Sequence, residues 1–149
     1  MRPRPYRGFT LIEILIVLVI MGIVAGVGYA SLRGMMERSR LEAAATQVAN
    51  DLIRARSYAQ TKNVAASWKK LSDTSYQLSL GANLKQYSLP RGIKFSGLAD
   101  GSEVTYTAPY GEVSVNGSAV GALKIVLANE KGSTTEVRVV GVTGKVIRP

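Results

Sequence analysis

The chain has 149 residues, no Cys, no His and a formal net charge of +9. Without Cys there is no disulfide framework, no Cys-ligated zinc site and no thiol chemistry. Without His the commonest general base, the commonest metal ligand and every imidazole-dependent triad are missing. No constellation supports an enzyme, and no metal or cofactor site is expected.

Residues 1–8, MRPRPYRG, are short, basic and rich in proline. Prolines alternating with arginines do not build a helix. The stretch reads as a targeting leader and is set aside from the fold. Its removal takes away Arg2, Arg4 and Arg7 and leaves a net charge of +6. From Arg33 onward, 16 Lys and Arg stand against 9 acids, a net +7. Such a surface favours polyanions, nucleic acid or anionic lipid head groups. Ordinary solubility with a basic bias accounts for the same charge.

From Ile14 to Leu32 there are 19 residues without one Asp, Glu, Lys or Arg. As an α-helix they cover about 28 Å, close to the roughly 30 Å of a bilayer's hydrocarbon core. Three readings compete for residues 9–32. One is a secretory signal, with Gly28-Tyr29-Ala30 as the small-x-small site. Another is a plain transmembrane anchor. The third is an anchor with a special head at Gly8–Glu13. Basic residues flank the run on both sides, Arg2, Arg4 and Arg7 before it and Arg33, Arg38 and Arg40 after it. The positive-inside rule therefore does not orient it.

Glu13 stands at the head of this run. A carboxylate within a membrane segment is costly and marks function by default. A start of the membrane run at Ile14 would instead leave Glu13 among the head groups. Gly22 and Gly26 form a GxxxG, a spacing that lets two helices approach closely in lipid. Local softening of the helix is the alternative.

Beyond Arg33 the pattern changes without a helix stop. Leu41, Ala45, Val48, Leu52, Ala55 and Ala59 recur at spacings of 4 and 3 and form one apolar stripe. Arg38, Glu42, Gln47, Asp51, Arg54 and Gln60 are assigned to the other faces. One helix is expected from Phe9 to Lys62, about 80 Å long. Its second half needs a partner for the stripe.

After Asn63 the chain turns to β patterning. Strands are expected at 64–69, 75–80, 84–89, 93–96, 103–107, 112–115, 123–127, 136–140 and 145–147. Turn signals separate them at 81–83, 100–101, 116–117 and 142–144. Connections this short leave no room for crossover helices, so the pairing is antiparallel. The helix stripe is the available cover for one sheet face. The expected organisation is α+β: residues 1–8 a leader, 9–32 a transmembrane or filament-core helix, 33–62 its amphipathic second half, and 63–149 a β-rich domain.

Three weaker signals are set aside. Gly141-Val-Thr-Gly144-Lys145 lacks the Gly and Ser/Thr of a phosphate loop and reads as a hairpin turn. Asn116-Gly117-Ser118 satisfies the glycosylation sequon, but Asn-Gly is foremost a type I′ turn. Trp68 beside Lys69 and Lys70 could stack on a base; packing within a strand is the simpler role.

Gly8-Phe9-Thr10-Leu11-Ile12-Glu13, after a short basic leader and before a long apolar helix, resembles the class III leader and N-terminus of type IV pilins and type II secretion pseudopilins. The resemblance implies a type IV pilin-like fold and cleavage by prepilin peptidase between Gly8 and Phe9. It also implies N-methylation of Phe9 and pairing of Glu13 with a neighbouring subunit's amino terminus. A buried carboxylate requires such a partner. Gly22 matches a frequent family glycine, whereas the common mid-helix proline is absent, with Ala30 near its place. Leu52-Ile-Arg-Ala55-Arg56-Ser-Tyr-Ala59, Leu89-Pro-Arg-Gly92-Ile-Lys-Phe95 and Val142-Thr-Gly144-Lys145-Val146 resemble the H-type minor pseudopilins and the minor pilins of the FimT/FimU kind.

The resemblance implies a structural subunit of a pilus or pseudopilus, single-pass in the bacterial inner membrane before assembly. The leader would be cytoplasmic and the globular domain periplasmic. Its partners would be prepilin peptidase, other pilin subunits and the inner-membrane assembly platform. The competing reading is a minor pilin that captures DNA for uptake, with Arg138, Lys145 and Arg148 as candidate contacts. The segment Gly144-Lys145-Val-Ile-Arg148 departs from the arginine-containing tail of such relatives.

Overall fold

The computed structural model describes residues 9–119, 121–141 and 143–148, without the side chains at 27, 28, 30 and 31. The leader, with Gly8 of the expected cleavage site, and Val142 of the last turn signal lie outside the described residues. The chain divides into two compact units, Met1–Met36 and Glu37–Pro149.

Helix α1 runs from Leu11 to Lys62, 52 residues. It starts two residues later than the apolar pattern implies because Thr10 is the N-cap. The Thr10 Oγ1 accepts the Glu13 backbone N–H at 3.3 Å. The Thr10 carbonyl already accepts from Glu13 and Ile14, so an orphan donor of the first turn is satisfied. The helix ends where Asn63 adopts a φ of 54°, the left-handed step that closes many helices.

In the first unit, the large apolar side chains described between Phe9 and Met36 are 47% to 85% exposed. Arg33 lies 5.0 Å from the Tyr29 ring centroid. Among the described residues no helix is long and apolar enough to cross a membrane; the undescribed side chains fall within the apolar run read from the sequence.

The second unit packs the rest of α1 on two antiparallel sheets. The first has six strands in the order β3 (Asn83–Ser88), β2 (Ser75–Leu80), β1 (Ala66–Ser72), β5 (Glu103–Thr107), β6 (Glu112–Val115) and β7 (Ser118–Ala119). The second has four, in the order β10 (Lys145–Ile147), β9 (Thr134–Val140), β8 (Ala122–Asn129) and β4 (Ile93–Ser96). All nine expected strands form, with ends shifted by up to three residues. The two-residue β7 is additional. It completes the Asn116-Gly117 hairpin, where both residues have positive φ and Val115 pairs with Ser118, as a type I′ turn requires.

The stripe on α1 is buried as expected. Leu41, Ala45, Val48, Leu52, Ala55 and Ala59 are each at most 2% exposed, and Ala44 and Ala49 join them. The stripe contributes mostly small alanines, and the larger core side chains come mostly from the strands. Trp68, Tyr76, Val104, Tyr106, Ile125, Leu127, Val137 and Val139 fill one continuous core. Phe95 of the four-stranded sheet meets Trp68 and Tyr76 of the six-stranded sheet edge-on, at 5.6 and 6.1 Å between centroids. Trp68 is fully buried and offers no face for a base.

One assignment on the helix is corrected. Asp51, read as part of the polar faces, is only 8% exposed. Its carboxylate accepts a 2.6 Å hydrogen bond from the Tyr76 hydroxyl, which in turn accepts from Gln47 Nε2 at 3.0 Å. A buried carboxylate is tolerated there because it is hydrogen-bonded.

Candidate functional site: the front of the helix

The first turns of α1 bring Phe9, Thr10 and Glu13 together at an exposed helix end. Phe9 is 78% exposed, and Glu13 is exposed beside it. Thr10 at the cap and Glu13 three residues on form the T-x-x-E pattern of a capping box. Its first half, Thr10 Oγ1 to the Glu13 N–H, is made. The positive end of the helix macrodipole favours a carboxylate in this turn. The local backbone therefore presents Glu13 at the tip of an apolar helix. The cap was not read from the sequence, although the T-x-x-E spacing is its signal.

Gly22 and Gly26 lie farther along the same helix. A methyl group added at either position would meet no atom within 4 Å, so packing within the chain does not require a glycine at either place. What the two glycines leave open is close approach by something else. A helix apolar on all sides needs lipid or other helices around it.

The basic residues near the C-terminus are placed differently. In the β9–β10 ladder, Arg138 stands opposite Ile147 and Lys145 opposite Val140. Arg138 is ion-paired with Glu136, which also pairs with Lys124. The hydrogen bond from Lys124, with that from Arg138, holds the Glu136 carboxyl below the usual range, against the opposing effect of burial. Arg148 pairs with Glu42 and donates to Thr46, both on α1. The hairpin thus places Arg138 and Lys145 on its two strands and turns Arg148 to α1, and it engages Arg138 and Arg148 with carboxylates of the chain itself.

A further charged cluster gave no motif in the sequence. The Lys70 ammonium, 3% exposed, contacts Asp73 Oδ1 and Asp100 Oδ1 at 2.8 Å each and donates to the Leu98 carbonyl at 2.6 Å. Burial works against its charge, but the bonds to Asp100 and Asp73 outweigh it and hold its pKa above the usual lysine value. The carboxylates lie 3 and 30 positions away in sequence, so only the folded loops assemble the cluster. Among the described residues, no group of three or more His, Cys, Asp or Glu could hold a metal ion.

A family model for the prokaryotic N-terminal methylation motif matches residues 3–29. No curated protein and no solved structure matches the chain. The matched span contains Gly8, Phe9, Glu13, Gly22 and Gly26. With the long N-terminal helix and the antiparallel sheets behind it, this motif supports a protein of the type IV pilin or pseudopilin type, processed by prepilin peptidase and assembled with other pilin subunits.

Proposed function

We propose that the chain is a minor structural subunit, of the H-type, in a type IV pilus or type II secretion pseudopilus. Prepilin peptidase cuts between Gly8 and Phe9 and methylates the new amino group of Phe9. Residues 9–32 then hold the subunit in the inner membrane in a single pass, with the β-rich domain outside the cytoplasm. On assembly this segment exchanges lipid for neighbouring helices, with Gly22 and Gly26 at close contacts. The Glu13 carboxylate pairs with the amino terminus of the next subunit and sets the axial register.

The observation that carries this reading is the exposure of large apolar side chains along the described front of α1, with Glu13 as the one acid among them up to Met36. Lipid and a bundle of like helices both suit the apolar surface. In either setting a carboxylate at the tip gains from a cationic partner.

Mass spectrometry of the mature N-terminus tests it. The expected first residue is N-methylated Phe9. A mature chain beginning at Ser31 establishes a conventional signal peptide and removes the anchor.

A further inference from the structure

The six-stranded sheet ends at β3, whose outer edge pairs with no other strand among the described residues. Inside this edge, on the side facing α1, lies a mostly apolar groove of about 320 Å³. Tyr58 and Arg54 of α1 form one wall, Leu78 and Leu80 of β2 line it, and Lys85 and Tyr87 of β3 form the other wall. Arg54 and Lys85 are both exposed, and neither makes a salt bridge among the described residues. No carboxylate lines the groove.

We propose that the edge of β3 and the groove beside it bind an extended, acidic segment of another protein, added to the sheet as a further strand. The open backbone N–H and C=O groups of β3 supply the ladder, and alternate side chains of the guest supply specificity. On the groove side, apolar side chains cover Tyr58, Leu80 and Tyr87. Carboxylates of the guest answer Arg54 and Lys85. Lys85 now lies 5.1 Å from the Tyr87 ring centroid, and its flexible stem can swing to a carboxylate without loss of the strand.

The chain's own edges do not fit this role. The four strands at sheet edges, β3, β4, β7 and β10, contain no Asp or Glu, while Lys85, Lys94 and Lys145 lie on three of them. A twofold pairing of β3 with β3 would bring like charges together, which is destabilising. From Glu37 onward, 15 Lys and Arg oppose 9 acids, a net +6 that disfavours self-association through this face. The guest is therefore a different, acidic chain.

The test uses the full-length protein in detergent micelles and a fluorescent, blocked eight-residue peptide that repeats Val-Thr-Glu-Thr, so that valine and glutamate share one face of the strand. Binding is read by polarisation and by amide hydrogen exchange. The expected result is saturable binding with added protection confined to Asn83–Ser88. Arg54→Glu and Lys85→Glu should each weaken it about tenfold, as loss of a close charge pair does, while Lys94→Glu leaves it unchanged. Replacing the two adjacent central residues with proline should abolish it, because proline has no N–H for the ladder.

Protection elsewhere, equal binding of the proline peptide or of one with lysine in place of glutamate, or indifference to both charge reversals overturns the proposal. Displacement of the peptide by an equal concentration of a single-stranded oligonucleotide overturns it in favour of a polyanion site. Concentration-dependent self-association that Lys85→Glu alters overturns it in favour of a second copy. None of these outcomes depends on processing at Gly8 or on filament assembly.

Discussion

The Tyr76 hydroxyl donates a 2.6 Å hydrogen bond to the Asp51 carboxylate, fastening strand β2 to helix α1 within the core. The two residues are fully buried and 8% exposed, respectively. Removing the donor leaves a buried carboxylate short of a partner. Tyr76→Phe should therefore cost about 2–4 kcal/mol. Asp51→Asn keeps an acceptor at the same place and should cost only about 1 kcal/mol. Urea unfolding of the three proteins decides. If Tyr76→Phe is no less stable than Asp51→Asn, the bond does not hold the two elements together.

The same environment sets the alkaline limit of stability. Burial, followed by the bond to Asp51, pushes the Tyr76 phenol above the usual tyrosine range. Burial does the same for Tyr106, with Arg56 pulling the other way. Below about pH 10 neither folded nor unfolded phenols ionise, and their contribution to stability is constant. Above it the unfolded chain loses those protons while the folded chain retains them, so stability falls by about 1.4 kcal/mol per pH unit for each such tyrosine. The raised Lys70 acts in the same direction. Denaturant midpoints between pH 9 and 12 should decline, less steeply in Tyr76→Phe. A flat profile contradicts the assignment.

Two neighbouring lysines on β1 should behave differently. Lys70 is 3% exposed and anchors Asp73, Asp100 and the Leu98 carbonyl. Lys69 is 41% exposed, with a single Glu103 contact at 3.8 Å. Lys70→Met should cost about 2–3 kcal/mol, because the loops bearing its partners lose their common tie. Lys69→Met should stay within about 0.5 kcal/mol of the parent. Parallel thermal melts check the pair, and equal shifts would show that the Lys70 cluster contributes nothing beyond an ordinary surface ion pair.

The stripe from Leu41 to Ala59 was legible because its alternating spacings of 4 and 3 follow the helix and all six side chains are apolar. The nine strands were legible because Gly and Asn turn signals separate them. The pairing was not. Strand β4 lies beside β8 and β1 beside β5, choices made by the core rather than by neighbours in sequence. Asp51 was assigned outward on its polarity, since nothing local reveals that Tyr76, 25 positions away, satisfies it. The Thr10 cap was missed although T-x-x-E marks it, because the apolar run drew the helix start to Phe9. Lys70 had no local signal, because its partner Asp100 arrives from the loop before β5.

Glycine at position 144 is required by space as well as by backbone. Its φ is +63°, and a Cβ there would lie 2.7 Å from the Tyr106 ring and 3.1 Å from the Gly111 carbonyl oxygen. Gly117 has a φ of +79° with nothing within 4 Å. Gly117→Ala should cost only the backbone penalty, about 1–2 kcal/mol. Gly144→Ala should add a clash with a fully buried ring and reach about 3–5 kcal/mol. Chemical denaturation of the two variants separates the contributions, and equal losses would mean that Tyr106 moves aside freely.

At the other end of the chain, Glu13 has two separable properties. As the third residue after the Thr10 cap it can complete a capping box, a task glutamine performs as well. As a carboxylate it can pair with a cationic amino terminus, which glutamine cannot do. Glu13→Gln should therefore retain processing at Gly8 and N-methylation of Phe9 but fail to enter filaments, as should Glu13→Ala. Thr10→Ala weakens only the cap, by about 1 kcal/mol, and should still be incorporated. Immunoblots of sheared filaments against membrane fractions, with mass spectrometry of each N-terminus, give the comparison. Wild-type incorporation of Glu13→Gln would assign Glu13 to the helix cap alone and remove the charge from the assembly step.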